Sequence, residues 1–514
     1  MNRRDFLAGS LGTMAAAASS ESVLLHSGEA GAAAQTLQPA SDPIPGDPRQ
    51  VRFRVKPVLT SIVHTHMWEG PCRWEGMSPE RERAGADSRF AAWSKEIAGM
   101  KLGDPHTAFL APAHLIHSED FVLHPEELAK LKPDSQETDA YYVEPDASSI
   151  SALQIAEHFR KPILFKGLSA RGADIAPYAN AKGREAFVPA DDEEFRQLVS
   201  ALRARKVFRS TKVLFPTERG YPAALCLSGS PDVEDLEKRL GVVVRKISYK
   251  ELADEMNHVL GDRAAAEEAD RAARDLLQKA DKAYLGLNYV TRSFQFYRVV
   301  RRLMARHGCN AFTIECFEFC ASRLPQKWLI TPCLIHALLR NQDCAASCEA
   351  DMGSLLAMRM LMTVSQRSCH QGNWYQRDAD SFLINHSAPS MKMNGYDQPD
   401  LPYQLGRFVT QGWGTKVIID FMNNREKTVT VARVDPTSTK VLVIRGELVG
   451  ASGWGKDLIG CSVEAVIRPP KGRLEECLRK RIEYGNHQQW VYGDWTRQMR
   501  QLAEVLGLKA HVIS

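Results

Sequence analysis

The stretch Cys344–Gln366, CAASCEADMGSLLAMRMLMTVSQ, combines two acids with a long apolar run. Glu349 and Asp351 stand near its start, and Arg359 is the only full charge in the run that follows. A helix without a polar face is typical of a protein core, so this run predicts a buried helix. Carboxylates at the N-terminal end of such a buried helix must be stabilised by the helix dipole, by a paired charge or by a metal ion. Because the two acids are two positions apart, at most one of them is expected to face a given site.

Short apolar runs alternate with amphipathic segments over most of the chain before this helix. That alternation is typical of doubly wound parallel sheets, and a break near residue 210 predicts two such α/β domains, 51–210 and 211–365. From about residue 366 the chain changes to short β-branched runs separated by turn residues. This pattern predicts a β-rich C-terminal domain over 366–514, built as an antiparallel sheet or barrel and closed by a helix.

The composition excludes several classes of protein. The 66 basic and 62 acidic residues of the 514-residue chain nearly cancel, and no basic run stands out, so nucleic acid is not an expected partner. No run of strongly apolar residues is long enough to predict a membrane-spanning helix.

The first residues have the pattern of a targeting signal. MNRRDFLAGSLGTMAAAA places the pair Arg3-Arg4 before Phe6 and an Ala- and Gly-rich stretch. This pattern is similar to a twin-arginine export signal, so residues 1–50 are interpreted as signal and linker, and the mature protein as periplasmic or extracytoplasmic. A plain alanine-rich tail is the alternative.

The eleven cysteines leave two interpretations open. Six of them fall between Cys316 and Cys369, including the CxxxC pairs Cys316/Cys320 and Cys344/Cys348. A structural zinc site usually has more closely spaced pairs in polar loops, whereas the surroundings here are apolar, which favours buried thiols over zinc ligands. Disulfides after export remain an alternative that spacing alone does not assign.

Three histidine segments are candidates for a site. His386 follows a short apolar strand in FLINHSAP, and His487 stands in GNHQQWVYGDW, which is predicted to be a loop. One acid at a helix start and two histidines on a neighbouring β-domain are suitable ligands for a divalent cation. The rival segment is SIVHTHMWEG, whose His64 and His66 would share one face of a strand, as HxH pairs in metal hydrolases do. No second cluster of ligands follows it, which weighs against a hydrolase.

From about residue 210 to residue 500 the chain resembles the L-fucose/L-arabinose isomerase family. The resemblance lies in RLGVVVRKISYKELADEM, in TPCLIHALLRNQDCAASCEADMGSLLAMRML, in FLINHSAP, in TVTVARV with VLVIRGELV, and in GNHQQWVYGD. Their order and spacing together carry it, whereas residues 55–210 match only in being α/β. The resemblance implies two Rossmann-like, doubly wound α/β domains followed by the β-rich domain. It also implies a trimer or hexamer with active sites between subunits.

The resemblance also implies roles for individual residues. The metal-binding and catalytic glutamate of the family's E-x-D motif corresponds to Glu349, and its metal-binding histidine to His487. The second catalytic acid, an aspartate in a turn after this helix in the family, corresponds to Asn373 in SCHQGNWYQRD, which is therefore expected to be a turn. Asn373 can offer a neutral oxygen to a cation but cannot take a proton. Asp351 and His386 are expected near the substrate. Three aromatic side chains are candidates for stacking on a sugar, namely Trp374, Trp413 and Trp490, and Trp490 is the preferred one.

These assignments predict a metal-dependent aldose–ketose isomerase. In such enzymes a divalent cation, here expected to be Mn²⁺, stabilises an enediolate while carboxylates move protons. The alternative is an exported carbohydrate-binding or altered-chemistry protein on the same fold. Its motivation is Asn373, because losing a positioned acid or base costs about 10²–10⁴-fold in rate.

Overall fold

The protein is described by a computed structural model, which covers residues 44–67, 78–146 and 148–514. The predicted export signal and most of the predicted linker lie outside the described residues. Within the described ranges, no helix combines the length and apolar character needed to cross a bilayer.

The first part of the chain forms a parallel sheet, called sheet A. Its strands are β1 (Phe53–Ile62), β2 (Thr107–Phe109), β3 (Ala113–His117), β4 (Ala140–Glu144), β5 (Ile163–Leu164) and β6 (Ala186–Phe187). The order is β2-β1-β4-β5-β6, and β3 pairs with the later half of β1. The helices of this part are α1 (Pro79–Gly99), α2 (Pro125–Ala129), α3 (Ser149–Phe159), α4 (Ala170–Ala181) and α5 (Asp192–Arg209).

A second parallel sheet, called sheet B, has the order β11-β10-β7-β8. Its strands are β7 (Lys212–Pro216), β8 (Val243–Ile247), β10 (Ala311–Ile314) and β11 (Ala345–Cys348). The helices of this part are α6 (Val233–Leu240), α7 (Tyr249–Gly261), α8 (Arg263–Lys279), α9 (Leu287–Arg306), α10 (Cys316–Ala321), α11 (Leu324–Trp328), α12 (Cys333–Asn341) and α13 (Met352–Ser365). The predicted mixture of helices with parallel sheets is therefore present in both parts.

The C-terminal part contains a closed antiparallel barrel of six strands. Its strands are β12 (His370–Gln376), β13 (Phe382–His386), β16 (Thr428–Val434), β17 (Lys440–Ser452), β18 (Val463–Arg468) and β19 (His487–Tyr492). They follow the order β16-β19-β12-β13-β18-β17, and the pairing of β17 with β16 closes the circle. The helices here are α14 (Leu474–Tyr484) and α15 (Thr496–Leu506), and β20 (Lys509–Ile513) pairs in parallel with β17.

Two barrel strands differ from the sequence-based expectation. The segment around Asn373 was expected to be a turn and the segment around His487 a loop, yet β12 and β19 pair with each other in the barrel wall. Their glycines, amides and histidines are poor strand formers on their own, and burial against both neighbours overrides that preference. A small sheet of β9 (Lys282–Ala283), β14 (Tyr403–Arg407) and β15 (Thr415–Ile419) joins sheet B's part of the chain to the barrel.

Helix α13 is the predicted buried helix. Thirteen of its 14 residues are buried, Arg359 among them, and the helix packs against β11, β16 and β19. Asp351 precedes the helix and caps it, because its Oδ1 accepts a hydrogen bond from the Ser354 backbone N–H at 2.9 Å. Arg359 is paired within the core with Asp343 and with the Thr363 hydroxyl. The helix thus connects the end of sheet B with the outer wall of the barrel.

A buried pair in sheet A, His117 with Asp146, predicts that the stability of the protein depends on pH. His117 Nε2 lies 2.9 Å from Asp146 Oδ1, and both side chains are buried. Burial lowers the pKa of His117, but the bonds to Asp146 and to the Ser118 carbonyl outweigh it and raise the pKa above its ordinary value. Because a raised histidine pKa contributes stability below about pH 6.5, that contribution should be lost as the pH rises through the folded pKa.

We therefore expect the wild type to lose more stability than His117→Asn between pH 6 and pH 8.5 in urea unfolding. An NMR titration of His117 should give a pKa above the ordinary value of a histidine. Equal pH dependence in the two proteins would show that the pair contributes nothing.

Candidate metal centre

Glu349 stands at the carboxyl edge of sheet B, directly after β11. Glu349 and Ala350 both have left-handed backbone conformations, with φ of +59° and +54°. The turn is held by the Ala350 N–H, which donates to the Ile314 carbonyl at 3.1 Å, and by the Tyr221 hydroxyl, which donates to the Ala350 carbonyl at 2.9 Å. Residues other than glycine in this region cost about 1–3 kcal/mol each and are concentrated at functional sites. The backbone is therefore strained where it presents this acid.

Two histidines of the barrel approach the same carboxylate. His386 is the last residue of β13, and its Nε2 lies 3.5 Å from Glu349 Oε1. His487 is the first residue of β19, and its Nε2 lies 3.5 Å from Glu349 Oε2. One potential ligand atom from each of the three residues falls within 4.8 Å of the others. The structure thus brings Glu349 and His487 together, as predicted, and adds His386.

Asp351 orients His487 from the other side of its ring. Asp351 Oδ2 lies 2.8 Å from His487 Nδ1 and also accepts a hydrogen bond from the Arg433 guanidinium. Burial would raise the pKa of Asp351, but the charge of Arg433 and the bond to His487 hold it well below its usual range. An ionised Asp351 accepts a hydrogen bond from Nδ1 of His487 and so directs Nε2 of the ring towards Glu349.

Only Glu349 belongs to the three-residue group, in line with the expectation that at most one of the two acids faces a given site, whereas Asp351 contacts the other side of the His487 ring. The expectation assumed that both acids lie on one helix, but α13 begins only at Met352. Glu349 lies in the strained turn before it, and that turn directs both carboxylates to the two nitrogens of one imidazole. Asp351 and Glu349 therefore have different tasks at the same histidine.

His386 has a thiol at the corresponding position. Cys461 Sγ lies 3.8 Å from His386 Nδ1 and 3.6 Å from the Ser387 hydroxyl. The loop that carries Cys461 is held by the buried Lys416, whose Nζ donates to the Gly460 carbonyl at 2.8 Å and to the Ser462 hydroxyl at 2.7 Å. Both histidines of the centre thus have a partner at Nδ1 and direct Nε2 towards Glu349.

The residues at this centre fit a divalent cation. The Nε2 atoms of His386 and His487 are buried and have no hydrogen-bond partner, although a carboxylate oxygen lies 3.5 Å from each. Burial raises the pKa of Glu349, but the contact with His386 and the charge of His487 lower it on balance below its ordinary value, so the acid is ionised. Two imidazoles and one carboxylate are the ligands of many catalytic metal sites with open positions. Burial lowers the pKa of His386, but Cys461 and Glu349 raise it on balance well above its ordinary value, so a bound cation would take the place of a proton on this ring.

The three side chains of the centre differ in their exposure to solvent. The side chains of His386 and His487 are 3% and 2% exposed, whereas that of Glu349 is 16% exposed. A small molecule would therefore meet the carboxylate first, and the imidazoles would lie behind it.

A second group of possible ligands fits a metal less well. Cys226 Sγ lies 3.0 Å from Asp351 Oδ2 and 3.7 Å from His487 Nδ1. Burial and the charge of Asp351 raise the pKa of the Cys226 thiol, so the thiolate that a metal requires is disfavoured. The guanidinium of Arg433 already neutralises Asp351 and would repel a cation there. These residues are better explained as the support of His487.

The other predicted site residues are placed as follows. Asn373 lies opposite His487 in the strand pairing, but its Oδ1 accepts a hydrogen bond from Asn486 and is outside the three-residue group.

Trp374 and Trp490 are completely buried, with their indole N–H groups unpartnered, so neither ring is open to a sugar in this conformation. His64 contacts Glu82 and His66 contacts Glu119, and neither histidine belongs to a group of possible metal ligands among the residues that the structure describes.

The cysteines of the described residues are all free thiols. Four of the six between Cys316 and Cys369 are buried, Cys316 is half-buried and Cys320 is exposed. Neither group of possible ligands among the described residues contains more than one cysteine, which agrees with the interpretation as thiols rather than a four-cysteine zinc site.

Sequence reasoning missed Arg433, Cys461 and Lys416. Arg433 left a signal, because it is a full charge within the apolar strand TVTVARV, where a buried acid must compensate it. Cys461 and Lys416 left none, since their roles depend on how a loop folds back over the barrel. No protein-family model matches the chain, and no curated protein matches its sequence.

Proposed function

We propose that this protein is a metal-dependent aldose–ketose isomerase, a divergent and exported member of the L-fucose/L-arabinose isomerase family. The observation that supports it most is the convergence of Glu349 and His487, two residues from distant parts of the chain that the family resemblance assigns to one cation. The parallel sheets, followed by the barrel, support the same proposal in their order along the chain. In this proposal the two parallel sheets belong to Rossmann-like, doubly wound domains.

Glu349, His386 and His487 would hold the cation, with Mn²⁺ as the proposed metal. When bound, a divalent cation stabilises the negative charge that develops on the oxygens of an enediolate. The role predicted for Asn373 as a neutral ligand stays a prediction, and it requires the amide to exchange its bond with Asn486 for one to the cation.

The chain's own groups account for orientation and proton transfer. Glu349 is the ionised and partly exposed group of the centre, so it is placed to take a proton from a carbon of an open-chain sugar. Asp351 and Arg433 keep His487 in one tautomer, and the buried surroundings exclude competing water on that side. The substrate is proposed to be a pentose or deoxyhexose, and the assembly a trimer or hexamer located outside the cytoplasm.

The alternative is an exported carbohydrate-binding or altered-chemistry protein on this fold. Two observations favour it: Asn373 stands where the family has its second acid, and its amide is already bonded within the chain. The two proposals differ in whether the wild type itself converts a sugar.

Asn373→Asp discriminates between them. We expect the wild type, supplied with Mn²⁺, to isomerise at least one sugar of a panel of pentoses and deoxyhexoses, and the variant to be no faster. The reason is that Glu349, His386 and His487 already supply three donors, so a further carboxylate beside His487 mainly adds charge. Product ratios by chromatography, with and without a chelator, provide the measurement.

The exposed Asn423, changed to aspartate, is the control for an added charge on the barrel. Activity that appears only in Asn373→Asp would establish the alternative. A wild type that neither binds a divalent cation nor converts any sugar would refute the isomerase proposal.

A further inference from the structure

A layer of buried polar side chains lies between helix α12 and the barrel. His336 and Arg340 are one helical turn apart on α12, and His370 begins β12; we call these three residues the α12–β12 layer. All three are completely buried. Arg340 Nε donates to the His336 carbonyl at 3.2 Å and its Nη1 donates to the Cys369 carbonyl at 3.0 Å, which joins the helix to the start of the strand.

Arg340 differs from the other completely buried arginines. Arg359 is paired with Asp343, and Arg433 with Asp351. In the described part of the chain Arg340 bonds to two neutral carbonyls, has no carboxylate partner, and leaves Nη2 without any hydrogen bond. Arginine remains protonated in proteins, and an unpaired charge in a low-dielectric interior is strongly disfavoured. The layer therefore has one positive charge that no described residue neutralises.

The two histidines of the layer add donors without adding charge. Both ring nitrogens of His336 and both of His370 are buried without a hydrogen-bond partner. Burial, together with the positive charges of Arg340 and His386, lowers the pKa of each histidine well below its ordinary value, and the Val463 backbone offsets only part of this effect at His370, so both rings are neutral. A neutral imidazole carries one N–H, and its tautomer follows the partner that is offered. Each neutral ring thus has one N–H to donate, and both rings lie near enough to Arg340 to be influenced by its charge.

We propose that the α12–β12 layer binds one small monovalent inorganic anion of the halide class. The anion would accept from Arg340 Nη2 and from the imidazole N–H groups of His336 and His370, and its charge would neutralise the guanidinium. A monovalent ion matches the single unpaired charge, whereas a dianion would leave negative charge in the core. The complete burial of all three residues favours a monatomic ion over a phosphate or an organic acid.

This site is separate from the candidate metal centre in its residues and in the charge of its ligand. It does not depend on the proposed isomerase activity. His386 is near enough to influence both imidazoles electrostatically, so the anion would lie close to the metal centre without sharing a ligand with it.

The direct test is anomalous scattering from crystals of the full chain grown in sodium bromide instead of chloride. We expect one bromide peak within hydrogen-bond distance of Arg340 Nη2. A layer occupied by water molecules, with no bromide peak, would overturn the proposal whatever else the crystal shows.

The second test is thermal unfolding in sodium chloride and in sodium gluconate at equal ionic strength. At a chloride concentration 100 times the dissociation constant, the folding equilibrium constant should rise about 100-fold in the wild type. Arg340→Met should abolish this dependence, whereas Arg359→Met, which removes a buried arginine that has its own carboxylate, should keep it. Equal stability of the wild type in both salts would contradict the proposal, and it remains testable by bromide if a variant fails to fold.

Discussion

Glu349→Gln is expected to remove divalent-cation binding and, with it, any sugar isomerisation. Glutamine keeps the shape of the side chain but removes the negative charge that faces the Nε2 atoms of His386 and His487. Loss of an outer partner of a ligand already costs about 10–100-fold in metal affinity, so loss of the charged ligand should cost more than about 100-fold. If Glu349 also transfers the proton, the rate should fall by about 10²–10⁴-fold beyond the effect of metal loss.

Isothermal titration with Mn²⁺ and with Zn²⁺ measures the affinity, and sugar conversion at saturating cation measures the rate. The control is Glu464→Gln on β18, a half-buried glutamate of the barrel outside the metal centre. Unchanged cation affinity in Glu349→Gln would show that Glu349 is not a metal ligand, and that its contacts with the two imidazoles do not form a metal centre.

Asp351→Asn is expected to have the largest effect on stability. Asp351 caps α13, holds His487 and neutralises Arg433, and both side chains of the ion pair are completely buried. Removing one partner of a buried ion pair costs about 3–5 kcal/mol, because the other charge stays in the core without compensation. Cation affinity should fall about 10–100-fold as well, since His487 loses the partner that fixes its tautomer.

Guanidinium unfolding, followed by circular dichroism, measures the change in the free energy of unfolding. The matched control is Asp380→Asn, which breaks an exposed pair with Arg468 on the same barrel and should cost about 1 kcal/mol or less. Adding Arg433→Met to Asp351→Asn should restore part of the loss, because the unpaired charge disappears. A loss in Asp351→Asn as small as that of the control would refute the role assigned to this carboxylate.

The elements with regular apolar patterns were predictable from the sequence. Helix α13 shows this best, because a helix without a polar face is expected to be buried in a protein core. The strand pattern after residue 366 indicated the β-rich part, although closure of the barrel depends on β19, which has no alternating pattern. HQQWVY is buried on both faces, and the contacts of its polar residues come from distant segments, such as Asp351 for His487 and Ser354 for Gln489.

The candidate site was predictable where one residue had a strong local context. Glu349 stood out because a carboxylate beside an apolar helix requires a partner, and the family resemblance then suggested His487. His386 was a weaker candidate, since a single histidine at a strand end is compatible with many roles. The support of Asp351 by Arg433 and of His386 by Cys461 depends on contacts between distant segments, which no local pattern reveals.

The place of β19 in the barrel has a consequence for the order of biosynthesis. This strand lies between β16 and β12 and carries His487, yet it leaves the ribosome after the other five strands of the barrel. A nascent chain that stops before it has neither a closed barrel nor the second imidazole beside Glu349. Loading of the proposed cation should therefore follow the synthesis of β19, and a ribosome-bound intermediate that stops before this strand should retain no cation.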